Sequence, residues 1–85
     1  MVEVSIYTKD YCPYCKKAKT LLDIKKADYQ EFDVGTDESL LQEMVKKSGG
    51  AKTVPQIFIG GKHIGGCDDL YALNEKGELD KLLAA

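Results

Sequence analysis

The chain has 85 residues, 44% hydrophobic and 31% charged, which is enough for one hydrophobic core, so we predict a single domain over residues 1–85. The net charge of −2 is too small to favour nucleic acid or a membrane surface, and the 12 basic residues are all lysine, whereas base and phosphate recognition relies on arginine. No signal-peptide pattern or membrane-length apolar run is visible, so we expect a cytoplasmic protein or a processed organellar form.

The first half of the chain predicts two strands and two helices. Val2 to Tyr7 alternate apolar and polar residues, which is typical of a strand. Pro13 suits the first turn of a helix, and the apolar spacing continues to about Lys26. Residues 29–34 alternate again and predict a second strand. The next helix has its apolar positions at 40, 41, 44 and 45, is capped by residue 36 or 37, and ends at 48–50.

The second half predicts a hairpin and a last helix. Residues 56–59 and 62–64 read as strands joined by Gly60 and Gly61, the residue type that a tight hairpin turn requires. Asp68 or Asp69 could cap a final helix, which we expect to continue past Gly77 to residue 83. The order predicts a mixed α/β sheet, with parallel strands around a helical crossover and an antiparallel hairpin.

Three cysteines are an unusual number for a chain of this size. A secreted disulfide scaffold would normally carry an even set of four or more. A close pair, Cys12 and Cys15, with one distant Cys67 indicates redox chemistry or metal binding instead.

The close pair lies at a predicted helix start, a position that suits redox chemistry. An ordinary thiol is only about 3% ionised at pH 7, and a helix N-terminus favours the reactive thiolate by roughly 0.3–1 kcal/mol. Lys9, three residues upstream of Cys12, is the first candidate for added positive charge. We therefore predict that Cys12 attacks and that Cys15, one turn further into the helix, resolves the mixed disulfide.

A zinc site is the alternative. Cys12, Cys15, His63 and Cys67 would make a three-cysteine, one-histidine ligand set. Pro13 favours helix initiation over a turn that wraps a metal, and no second close cysteine pair exists. We predict no metal site and interpret His63 as a surface residue of a strand.

Three motifs in register, Cys12-Pro13-Tyr14-Cys15, Thr53-Val54-Pro55 and Gly65-Gly66-Cys67-Asp68, resemble those of dithiol glutaredoxins, including the small bacterial type. The resemblance covers essentially the whole chain. It implies a thioredoxin fold, with a four-stranded mixed sheet flanked by three helices. It also implies glutathione as co-substrate and no bound cofactor.

The resemblance implies a glutathione-binding set, namely Lys9, Tyr14, Gln42, Thr53, Val54, Pro55, Gly66, Cys67 and Asp68. Pro55 would be cis, and the backbone of Val54 would pair with the cysteinyl unit of glutathione. Asp68 would take the γ-glutamyl ammonium, while Lys9 and Gln42 would face the glycyl carboxylate. Some glutaredoxins carry basic residues just before this glutamine, where this chain has leucines at 40 and 41. Cys67 would be non-catalytic.

The implied activity is reduction of protein–glutathione mixed disulfides and protein disulfides by a monomer. Ribonucleotide reductase is one candidate client. Two alternatives stay open at this point. One is a redoxin served by thioredoxin reductase, although the chain lacks the tryptophan of thioredoxin active sites. The other is an iron–sulfur carrier, which Pro13 disfavours.

Overall fold

The computed structural model describes residues 2–84 and contains four strands and four helices within that range. In chain order the elements are β1 (Val4–Thr8), α1 (Pro13–Ile24), β2 (Tyr29–Asp33), α2 (Glu38–Lys47), β3 (Gln56–Ile59), β4 (Lys62–Gly65), α3 (Cys67–Glu75) and α4 (Glu78–Ala84). No helix among residues 2–84 is long and apolar enough to cross a membrane.

The four strands form one mixed sheet in the order β2-β1-β3-β4. β1 pairs with β2 in parallel and with β3 antiparallel, and β3 pairs antiparallel with β4. The predicted mixed sheet, with its helical crossover and glycine hairpin, is therefore confirmed. β1 is paired with a strand on each side and covered by helices on both faces, and four of its five residues are buried.

Each face of the sheet has its own core. On one face Val4 and Ile6 of β1 pack against apolar residues of α1, α3 and α4, including Leu22, Leu70 and Leu79, which are 0% exposed. The other face is covered by α2. There Tyr7 and Phe58 meet the buried Met44, and an edge-to-face contact joins the two rings at 5.6 Å. The alternation along β1 thus supplies both cores.

The start of α2 follows the sequence prediction. Asp37 is the N-cap, and its Oδ1 accepts the backbone N–H groups of Ser39 at 2.9 Å and Leu40 at 3.3 Å. These bonds lower the pKa of Asp37, the hydrogen bond from the Ser39 hydroxyl being the largest cause. Because the carboxylate satisfies orphan donors of the first turn, the helix begins at Glu38.

The last helical stretch corrects two predictions. The predicted last helix does not continue through Gly77, where φ is +75°. It is divided into α3 and α4, so the structure has four helices instead of three within the described residues. Glycine adopts this left-handed conformation without a Cβ penalty, which is why it terminates helices. The N-cap of α3 is Gly66, not Asp68 or Asp69. Asp69 instead reaches back, and its Oδ2 accepts the Gly66 N–H at 2.9 Å.

Candidate active site

Cys12 is the N-cap of α1 and follows the loop at the end of the central strand. Its Sγ accepts the backbone N–H of Cys15 at 3.2 Å. The same sulfur lies 4.0 Å from the carbonyl oxygen of Val54, to which a thiol can donate. Its side chain is half-buried. A sulfur with a fixed amide donor at a helix N-terminus is placed to carry negative charge.

Cys15 and Cys67 are far less accessible than Cys12, at 2% and 4% exposed. Burial raises the pKa of the Cys15 thiol to about 12, and the neighbouring Cys12 adds to the effect. Burial also raises the pKa of Cys67. Neither thiol will ionise to a useful extent at neutral pH, because its pKa lies above the ordinary value.

One measurement tests this ranking of the three thiols. Iodoacetamide at pH 8 should modify one thiol per folded molecule, at Cys12, because the raised pKa values keep Cys15 and Cys67 protonated and burial hides them. Peptide mass spectrometry identifies the modified residue, and alkylation in urea should reach all three. Modification of Cys15 or Cys67 as fast as Cys12 would contradict the assignment.

The Thr53-Val54-Pro55 motif lies opposite Cys12. The antiparallel register of β1 and β3 pairs Tyr7 with Gln56, so the residues just before β3 lie beside the loop that follows β1. The Val54–Pro55 peptide bond is cis, which confirms the sequence prediction for Pro55. Pro55 is buried, and Thr53 is exposed.

A cleft of about 410 Å³ runs from this loop to the start of α3. We call it the main cleft because it adjoins Cys12. Seven of the predicted site residues line it: Tyr14, Thr53, Val54, Pro55, Gly66, Cys67 and Asp68. Cys12 lies at the edge of this cleft, because its Sγ is 4.0 Å from the carbonyl oxygen of Val54, which lines the cleft. The structure therefore brings most of the predicted set together.

The α3 end of the main cleft offers backbone N–H donors, which suit an anionic group, beside a carboxylate, which suits a cationic group. Gly65 has φ of +119°, and a Cβ there would overlap the Asp69 carboxylate, so this tight turn requires glycine. The turn presents the first N–H groups of α3, on Cys67 and Asp68, which lack acceptors within the helix. The carboxylate of Asp68 is exposed beside them.

Gln56 and His63 are among the main-cleft residues outside the predicted set. His63 Nε2 and Gln56 Oε1 are 2.7 Å apart, and Gln56 Nε2 donates to the carbonyl oxygen of Thr53 at 3.0 Å. This chain of bonds joins β4, β3 and the loop that carries Val54. The hairpin pattern places both side chains on neighbouring strands, but the register pairs His63 with Phe58, so the contact with Gln56 is diagonal and did not follow from the sequence pattern.

Lys9 and Gln42 do not line the main cleft. They line a second cleft of about 350 Å³, which we call the lysine cleft, together with Leu41, Val45, Lys46 and Lys52. The sequence analysis did not predict Lys46 and Lys52 as residues of the site. The available signal was that Lys46 follows Gln42 by four residues on one helix, and that Lys52 directly precedes Thr53.

The site contains the thiol pair Cys12 and Cys15. Among residues 2–84, no cluster of three or more histidine, cysteine or acidic side chains could hold a metal ion. A half-buried thiol at a helix N-terminus, a buried thiol one turn on and a cis-proline loop facing them lie on a mixed four-stranded sheet. These features define a thiol–disulfide oxidoreductase of the thioredoxin fold.

Comparison with known proteins identifies the branch of that class. The family profile described as Glutaredoxin matches residues 4–64. The chain is 54% identical over 83 residues to Glutaredoxin 3 of Escherichia coli (strain K12), covering 98% of this chain and 99% of the relative. It is 51% identical to a Glutaredoxin of Pseudomonas aeruginosa over the full length of both. The chain belongs to the glutaredoxin family.

Solved structures agree. The solution structure of glutaredoxin from Brucella melitensis superposes with a TM-score of 0.84 at 54% identity, covering 98% of this chain and 89% of that one. The crystal structure of a buckwheat glutaredoxin–glutathione complex gives a TM-score of 0.86 at 34% identity, with 95% and 76% coverage. The protein is thus a glutathione-related thiol–disulfide oxidoreductase, and its fold is that of these enzymes.

Proposed function

We propose that the protein reduces protein–glutathione mixed disulfides by a Cys12 thiolate mechanism. The thiolate attacks the glutathionyl sulfur, a Cys12–glutathione disulfide forms, and the client sulfur leaves as a thiolate that takes up a proton. The thiolate of a second glutathione then attacks the glutathionyl sulfur on Cys12. This step releases glutathione disulfide and restores the Cys12 thiolate.

The same pair would reduce protein disulfides. Cys12 attacks one sulfur of the client disulfide, and Cys15, losing its proton, attacks Cys12 in the mixed disulfide. The client leaves with both sulfurs reduced, and two glutathione molecules then reduce the Cys12–Cys15 bridge. Burial and the raised pKa of Cys15 suit a thiol that reacts only with its neighbour.

Glutathione would lie along the main cleft with its sulfur at Cys12. The γ-glutamyl carboxylate suits the N–H groups of Cys67 and Asp68, and the Asp68 carboxylate suits the ammonium. The backbone of Val54 suits the cysteinyl unit. The glycyl carboxylate would extend toward Lys9 and Gln42 in the lysine cleft.

The single observation that carries the proposal is the position of the Cys12 sulfur. It accepts an amide N–H at 3.2 Å and lies 4.0 Å from the Val54 carbonyl, at the edge of a cleft suited to a zwitterionic peptide. The glutathione bound in the buckwheat relative supports the same ligand class.

A coupled assay tests the proposal. Oxidation of NADPH should follow when the protein, glutathione and glutathione reductase are mixed with the disulfide of glutathione and cysteine. Thioredoxin reductase should not replace glutathione and its reductase. Turnover with thioredoxin reductase alone would instead favour the redoxin alternative.

Asp68→Asn should raise the KM for glutathione about tenfold with little change in kcat, because one charge-assisted bond to the ammonium is lost. Glu75→Gln is the matched control, since this exposed carboxylate lies at the other end of α3. Steady-state kinetics with glutathione as the varied substrate separates the two variants. An unchanged KM for Asp68→Asn would remove Asp68 from the binding site.

We propose that the reaction takes place in the cytoplasm, because one close cysteine pair with one distant cysteine is typical of redox chemistry in a reducing compartment and not of a secreted disulfide scaffold.

A further inference from the structure

Tyr11 combines two unfavourable features immediately before the reactive cysteine. Its side chain is 99% exposed, although it is a large aromatic residue. Its backbone has φ of +57°, a left-handed conformation that suits glycine or asparagine and is costly for a residue with a bulky side chain. Strained backbone of this kind is concentrated at functional sites.

Lys26 offers a useful comparison because its φ is also +57°. Lys26 lies just beyond the end of α1, where its own N–H donates to the Asp23 carbonyl at 2.9 Å and the next N–H, of Ala27, donates to the Leu22 carbonyl at 3.0 Å. Helix termination therefore accounts for Lys26. Tyr11 precedes a helix, and its ring packs on nothing among residues 2–84.

The position of Tyr11 separates it from glutathione. It lines neither the main cleft nor the lysine cleft, although it adjoins Cys12 in the chain. A glutathionylated client must bring its disulfide to the Cys12 sulfur, so its polypeptide covers the surface around Cys12. Tyr11 is the exposed residue immediately before Cys12 on that surface.

We propose that Tyr11 docks the client polypeptide, contacting the segment around the glutathionylated cysteine and not the glutathione. This inference rests on the proposed function. An outward aromatic ring suits the role, since tyrosine offers a large contact area with few rotatable bonds and is enriched at interface hot spots. The left-handed turn keeps the ring off the enzyme surface.

Two substrates with the same glutathionyl half test the proposal. Tyr11→Ala should lower kcat/KM about fivefold for glutathionylated serum albumin, the loss typical of an aromatic contact residue. For the disulfide of glutathione and free cysteine, kcat/KM should stay within about 1.5-fold of the parent, because no polypeptide is present. Tyr11→Phe keeps the ring and should keep most of the albumin activity.

Ile24→Ala is the matched control, because Ile24 is also a large exposed apolar residue, at 67%, but lies at the far end of α1. It should alter neither substrate. Equal losses of Tyr11→Ala on both substrates, or a loss on neither, would overturn the docking role. If the parent protein failed to turn over the small disulfide, the proposed function itself would fall, and this inference with it.

Discussion

Replacing Cys12 with serine should lower the rate of every glutathione-coupled exchange reaction by about 10³-fold or more, because the hydroxyl is not a nucleophile at neutral pH. The expectation rests on geometry, since Cys12 alone among the three cysteines combines access with a helix N-terminal amide donor. Rates should be measured with a glutathionylated protein and with a protein disulfide. Substantial activity of Cys12→Ser on either substrate would show that another thiol attacks.

Cys15→Ser is the informative partner of that variant. It should keep reduction of glutathionylated protein, for which Cys12 suffices, and lose reduction of protein disulfides, for which a resolving thiol is needed. Cys67→Ser is the control for loss of a buried thiol, and it should retain both activities. If Cys15→Ser were as inactive as Cys12→Ser on glutathionylated protein, the assigned roles would be wrong.

Leu22→Ala should lower the free energy of unfolding by about 3 kcal/mol, within the range measured for cavity-forming substitutions of buried leucines. Leu22 is 0% exposed and lies in the core that joins α1 to the sheet. Because α1 carries Cys12 at its N-terminus, this core also holds the reactive thiol in place.

Ile24→Ala gives the matched comparison on the same helix, since Ile24 is 67% exposed. Its effect should stay within about 0.5 kcal/mol, as expected for a surface position. Urea unfolding of both variants, followed by circular dichroism, measures the difference. Similar losses for the two would contradict the burial assigned to Leu22.

Much of the fold was predictable because local patterns agree with the tertiary structure. The alternation along β1 and the two glycines between β3 and β4 each specify one structure. The break at Gly77 was missed because the apolar spacing continues across it, from α3 to Leu79. Glycine within a helical pattern is tolerated often enough that the pattern alone does not fix the boundary.

The position of Cys12 at a helix start and the cis bond of Pro55 could be predicted because each belongs to a short local motif. Prediction failed where distant parts of the chain converge. Lys46 and Lys52 were not predicted to belong to the site, although their spacing from Gln42 and Thr53 was a local signal, because only the packing of α2 on the sheet brings them beside Lys9. The N-cap at Gly66 was missed for a related reason: Asp69 bonds backward from within the helix instead of preceding it.

The register of β1 and β3 has a consequence for how this enzyme can be divided. Cys12 and Val54 lie 42 positions apart in the chain, yet their atoms lie 4.0 Å apart across two paired strands. Neither half of the chain therefore contains the whole candidate site. A fragment with Cys12 and Cys15 alone would keep the thiol pair but lack the Val54 side of the cleft, which is added only when β1 and β3 pair.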